Sequence, residues 1–292
     1  MFKHLPILCA AMLALAACGK DSSAPQAVTP TPTPTPTATA TAPVAEAASS
    51  SPAAASTAGD AAPADAASAV AQAPAATSAT AAAPFVDNGK WVEGKHYFRI
   101  DPAQPTSHPG KIEVTEVFSY GCPACNSFHP TVDRIAKSLP ANAVMNYLAA
   151  SFRPDENWPM YQRAFYAAQA LGVAQKTQDA MFDAAWKTGE LATYDLRAGK
   201  PKPRAAWPTI EDAAKFYAKF GVDPKEFLAV ANSFTVNTQM KRADELMKAY
   251  GVDSTPTMIV NGKYRFGPST AGGATQAMEL TQWLVAKEAA GQ

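Results

Sequence analysis

Cysteine is scarce in this chain: four in 292 residues, and Cys9 and Cys18 fall within the first eighteen. Everything downstream has only Cys122 and Cys125, so a multi-bridge disulfide framework is excluded. A zinc knuckle on that pair would have to recruit His129 and further ligands, with only His96 and His108 left as histidines there. Net charge is also absent, with 25 Lys and Arg against 25 Asp and Glu. The first 84 residues hold two cations, Lys3 and Lys20, and four anions, leaving 23 cations against 21 anions in the rest. No basic face for nucleic acid is expected from that balance. Leu5 to Leu15 is too short an apolar run to span a bilayer permanently.

What the N-terminal region does have is an export pattern. Lys3 and His4 precede the apolar run, and Leu15-Ala16-Ala17-Cys18 follows it. An aliphatic residue, two small residues and a cysteine make a lipoprotein site, giving a signal peptide over 1–17 and a lipid on Cys18. The rival is ordinary cleavage after Ala16, which leaves Cys18 as a free thiol. An aspartate after the cysteine marks inner-membrane retention in Gram-negative lipoproteins; Gly19 stands there and points to the outer membrane. Residues 18–84 are rich in Ala, Pro, Thr and Ser, with alternating Thr and Pro from Thr29 to Thr37. With almost no large apolar side chains, this stretch is expected to be a disordered tether with a span of roughly 45 Å.

The folded part is expected from Phe85 onward. A short strand is read within Val92–Ile100, a clearer one over Lys111–Tyr120, then a helix to Leu139 with Pro123 in its first turn and Pro130 set to kink it. Ala143–Ala150 reads as a strand. Five helices rich in Ala and aromatics follow: Trp158–Leu171, Gln175–Thr188, Ile210–Phe220, Pro224–Val230 and Val236–Tyr250. Thr257–Val260 and Lys263–Phe266 flank Asn261-Gly262, a strong hairpin signal. Ala274–Ala290 closes the chain as an amphipathic helix. The layout is α/β: a thioredoxin-like fold over 85–153 and 236–292, with a helical insertion over 154–235.

Cys122-Pro123-Ala124-Cys125 lies where the second strand gives way to the helix. Two thiols so spaced close a small, reversible disulfide, and a helix N-terminus favours the thiolate. Cys122 is the nucleophile by position and Cys125, one turn inside, the resolving thiol. Haem attachment would need His after Cys125, where Asn126 stands. A structural disulfide remains a second reading. Glu116 lies six residues before Cys122 on the apolar face of its strand, where a carboxyl should have a raised pKa. Its function would be proton transfer with Cys125; the alternative is a tolerated half-buried carboxylate. His129, four residues after Cys125, reads as a solvated helix residue, with tuning of the local field as the alternative.

These pieces together resemble the DsbA family of periplasmic thiol–disulfide oxidoreductases. The resemblance runs from Lys90 onward and rests on Glu116 to Cys125, the helical insertion, and Gly251-Val252-Asp253-Ser254-Thr255-Pro256-Thr257 before the Asn-Gly hairpin. It implies that the Cys122–Cys125 disulfide is donated to newly exported, reduced proteins and restored by a quinone-linked membrane protein of the DsbB type. It implies a cis Thr255-Pro256 bond facing the cysteines, with the Thr255 backbone binding an extended substrate. It implies no cofactor beyond the cysteine pair, and no metal site is expected. Two positions depart from the family: Ala124 where a histidine often stands, which should weaken thiolate stabilisation, and Tyr147 about where some relatives carry a lysine. A periplasmic reductase or isomerase on the same fold, or a tethered binding module with a static disulfide, are the rival functions. The expected location is the periplasm, with a lipid anchor at Cys18.

Overall fold

Strand β2, Ile112–Phe118, is the centre around which the domain is built. Six of its seven residues are buried, because neighbours cover both of its faces and both of its edges are paired. This computed structural model describes residues 85–292. The export signal, Cys18 and the tether through Pro84 lie outside the described residues.

Strand β1 is Phe98–Arg99, β3 is Ala143–Ala149, β6 is Thr257–Val260 and β7 is Tyr264–Phe266. They form one sheet in the order β1-β7-β6-β2-β3. Only β2 and β3 run parallel, as their connection through α1, Pro123–Ser138, requires. The β6–β7 turn has positive φ at both Asn261 (53°) and Gly262 (65°), the type I′ geometry that matches strand twist. A Cβ on Gly262 would overlap the Gln104 carbonyl oxygen, so glycine is required there for space as well as for φ.

The inserted helices are α2, Trp158–Ala170; α3, Ala174–Trp186; α4, Ile210–Ala218; and α5, Pro224–Ala231. Helix α6, Phe234–Ala249, follows, and the short α7, Pro268–Ala271, leads into α8, Ala274–Ala289. Three starts are marked chemically: Thr209 and Asp212 form a capping box on α4, Asp223 caps α5 ahead of Pro224, and Ser233 caps α6. Between α3 and α4 a small hairpin, β4 (Tyr194–Asp195) with β5 (Lys200–Pro201), breaks the helical run.

Two apolar cores result. Val114, Met258 and Val260 of the sheet pack with Phe128, Val132 and Ile135 of α1 and Leu280 and Leu284 of α8. Phe118 and Tyr120 instead join Phe165, Phe182, Tyr217 and Phe227 of the helices. The end of β2 is therefore gripped by the helical insertion, and the segment that follows it inherits a fixed position. The first strand is short and falls within Val92–Ile100. Gly94 has φ 80° and turns the chain, with Lys95 N–H donating to the Val92 carbonyl, so only Phe98–Arg99 remains extended against β7.

Candidate active site

Beyond Phe118 the chain tightens. The Gly121 amide donates to Ser119 Oγ at 3.1 Å and the Cys122 amide to the Ser119 carbonyl at 3.0 Å. Trp186 Nε1 donates to the Tyr120 carbonyl at 2.7 Å. A Cβ on Gly121 would stand 3.0 Å from both the Trp158 and Tyr161 rings, so glycine lets the helical insertion press directly on the turn. This turn delivers Cys122 to the N-cap of α1, with Pro123 in the first turn where a missing N–H costs nothing.

The two thiols are free and unequal. Cys122 Sγ accepts from the Cys125 amide at 3.2 Å and approaches the Thr255 carbonyl at 3.5 Å. A hydrogen bond from the Cys125 thiol, helped by Thr255 and by the Cys125 and Ala124 amides, brings the Cys122 thiol down to about 7 against its burial. Cys125 has no exposed surface, and burial pushes its thiol well up, with the neighbouring Cys122 and Glu116 charges adding to it. One sulfur is thus ready to carry negative charge and the other is held as a thiol.

Glu116 is fully buried, and neither carboxylate oxygen has a hydrogen-bond partner. Its cross-strand neighbours are Tyr147 on β3 and Met258 on β6, and neither offers it a cation. Burial, followed by the negative charges of Cys122 and Asp133, raises its pKa to about 8. At neutral pH it holds a proton.

The Thr255-Pro256 bond is cis and precedes β6. Beside it lies a groove of about 540 Å³, lined by Ala124 and Phe128 of α1, Thr255, Pro256, Pro268 and Ala274. Its walls come from the CxxC helix on one side and the α7–α8 corner on the other, so it runs past the cysteines.

A family model described as thioredoxin matches residues 109–279. The thiol:disulfide interchange protein DsbA of Pseudomonas aeruginosa is 37% identical over 200 residues, covering 68% of this chain and 87% of that protein. The chain belongs to the DsbA family. DsbA of Azotobacter vinelandii is 35% identical over 199 residues, covering 68% of this chain and 85% of that one. The crystal structure of P. aeruginosa DsbA superposes with a TM-score of 0.60 at 36% identity, covering 70% of this chain and 97% of that chain. DsbA from Xylella fastidiosa gives a TM-score of 0.58 at 28% identity, covering 66% and 95%. As a DsbA-family protein the chain is a thiol–disulfide oxidoreductase with a thioredoxin-like fold and inserted helices.

Within this DsbA frame the departures can be placed. Ala124 is exposed beside Cys122 and brings no charge to the thiolate. Tyr147 is in register with Glu116, and burial with the Glu116 charge pushes its phenol further up. His129 corrects the sequence reading: it is only 6% exposed, not solvated, because α3 packs over α1 there. Its Nε2 lies 2.5 Å from Asp179 Oδ1 and its ring rests on Phe182, with centroids 4.7 Å apart. The sequence reading also passed over Glu113, which is buried at the far end of β2. Its carboxylate accepts from the Ser107 amide, Thr115 Oγ1 and Asn146 Nδ2, and lies 2.6 Å from His108 Nδ1. A second acid on the central strand, matched with a histidine five residues upstream, was the available signal.

Proposed function

We propose that this DsbA-family oxidoreductase works as an exporting cell's thiol oxidant, and that Cys122 and Cys125 are its redox pair. A substrate thiolate attacks Cys122 Sγ, the Cys122–Cys125 bond breaks, and Cys125 leaves with the electron pair. A second substrate thiolate then attacks the substrate sulfur of the mixed disulfide, and Cys122 leaves as a thiolate. Two substrate thiols lose two electrons and two protons, and the pair gains two electrons. The observation that carries this reading is the inequality of the sulfurs: a leaving thiolate with a pKa of about 7 at Cys122 and a high-pKa thiol at Cys125.

That inequality gives Glu116 its task. Cys125 is a poor leaving group unless it is protonated as it departs, and a carboxyl with a pKa of about 8 holds a proton at neutral pH. Its lack of any hydrogen-bond partner supports a group free to give and recover that proton. Thr255, at the cis bond, is the docking edge: its backbone would pair with an extended substrate as an added strand while the neighbouring groove takes an apolar side chain. The redox group is the cysteine pair itself.

The partners that fit are reduced, unfolded exported proteins in the periplasm and, for reoxidation, a quinone-linked membrane protein of the DsbB type. The Leu15-Ala16-Ala17-Cys18 sequence supports a lipid on Cys18, with 18–84 as tether and 154–235 as the helical insertion between the two parts of the thioredoxin-like domain. The mass of the mature N-terminus reads this directly: a diacylglycerol on Cys18 is expected, and an unmodified Ala17 or Cys18 start contradicts it. The function itself is tested by single turnover. Oxidised protein mixed with excess reduced, unfolded substrate should form about one substrate disulfide per protein and leave Cys122 and Cys125 open to alkylation. No transfer, or the reduced protein opening substrate disulfides instead, would overturn the reading.

A further inference from the structure

One turn past Cys125, helix α1 carries a second group of donors that thiol exchange does not use. His129 and Asp133 are four residues apart and so share a helix face. Asp179 meets them from α3. One donor atom from each lies within 4.8 Å of the others. The imidazole is nine-tenths buried and held against Phe182, and its Nδ1 has no hydrogen-bond partner. Asp133 is half-buried, and Asp179 is exposed with 82% of its side-chain surface open.

A simple histidine–aspartate pair explains Asp179 but not Asp133. Two carboxylates converge on one imidazole, and among the described residues neither has a Lys or Arg within ion-pair distance. Their charge is felt by the active site: Asp133 helps to raise Glu116, and Asp133 and Asp179 both help to raise Tyr147. Uncompensated negative charge around a fixed imidazole is the donor set that a divalent transition metal satisfies.

We propose that His129, Asp133 and Asp179 form a binding site for a divalent transition-metal ion of the Zn²⁺ or Mn²⁺ class, joining the CxxC helix to the helical insertion. Imidazole and carboxylate oxygen suit such ions at roughly 2.0–2.2 Å, and three protein ligands leave positions for water on the exposed Asp179 side. The His129–Asp179 contact would open slightly to admit the ion between its two atoms. Two consequences follow. The ion would fasten α1 to α3, and it would cancel part of the negative field reaching Glu116, linking metal to the proton-holding group. The binding itself does not depend on the role proposed for Glu116.

The test uses the full chain with the Cys122–Cys125 disulfide closed, so that neither thiol can ligate. Titration calorimetry with Zn²⁺ should show a saturable site that is lost in His129→Ala. In Asp179→Asn, whose side chain is exposed and whose fold should stand, binding should weaken by more than the about 10–100-fold that losing a mere supporting contact costs a metal site. Zn²⁺ should also raise the melting temperature of the parent protein and not that of Asp179→Asn. Absence of saturable binding in the parent, or equal affinity in the parent and both variants, would overturn the site whatever the redox assays give.

Discussion

Replacing Cys125 by Ser should convert the protein into a trap. The Cys122 thiolate would attack a disulfide in an exported protein and release one substrate thiolate, and the Cys122–substrate disulfide so formed has no Cys125 thiol beside it to displace the substrate. Mixed disulfides stable to gel electrophoresis without reductant are expected from cells expressing Cys125→Ser. Cys122→Ser should form none and should lose substrate oxidation on the order of 10³-fold or more, as enzymes do on losing a nucleophile. The structure makes the asymmetry specific. Cys122 sits at the α1 N-cap against Thr255 and beside the groove, whereas Cys125 has no exposed surface. If Cys125→Ser released substrates as the parent does, or Cys122→Ser trapped them, the assignment of the two sulfurs would be wrong.

The second large effect concerns stability. Glu116 has its pKa raised from 4.5 to about 8, chiefly by burial. In the unfolded chain it ionises near 4.5, so between 4.5 and 8 the folded state binds the extra proton. Stability must therefore fall as pH rises through that window, by about 1.4 kcal/mol per unit. Glu116→Gln removes the titration while keeping a neutral polar group of similar shape. Near pH 5 parent and variant should be close. By pH 8 the variant should be more stable by about 3–5 kcal/mol, a large fraction of the 5–15 kcal/mol that holds a typical domain together. Urea melts of the oxidised forms from pH 5 to 8 check this, since oxidation removes the Cys122 thiolate and leaves burial, with the Asp133 charge, as the cause. Parallel pH profiles for the two proteins would show that Glu116 is charged and accommodated in the fold. The gain should come with slower thiol exchange, because the group that destabilises the fold is the one proposed to carry the proton.

The sequence showed most of what positions this site. The run from Lys111 to Tyr120, the Pro123 helix start and Asn261-Gly262 each carry a local signal: alternation, a fixed φ, and a turn that needs two positive φ values. Glu116 was legible because a carboxyl on an apolar strand face is conspicuous. What stayed hidden depends on partners far along the chain or on elements too short to have a period. His129 looked solvated because Asp179 and Phe182, which bury it, arrive from α3 about 50 residues later. The β4–β5 hairpin has two residues per strand, and α7 is a single turn, so neither offers a pattern. Only Phe98–Arg99 of the Val92–Ile100 stretch pairs as a strand, because Gly94, with φ 80°, turns the chain before it. The far end of β2 shows the converse: Glu113 is tolerated in the core because the Ser107 amide, Thr115 and Asn146 supply hydrogen bonds, whereas Glu116 has none.

Ala124 sets the scale of the chemistry. A histidine there would place a cation beside the Cys122 thiolate; alanine leaves the stabilisation to hydrogen bonds at the helix N-terminus. The pair should still oxidise substrates, but less forcefully than one with the imidazole. The most direct measurement is the equilibrium potential of Cys122–Cys125, read as the oxidised fraction in glutathione buffers of known ratio. We predict a value less negative than the about −270 mV of thioredoxin and more negative than the about −120 mV of the strongly oxidising DsbA reference. A value at or below that of thioredoxin would make this protein a reductant and contradict the account.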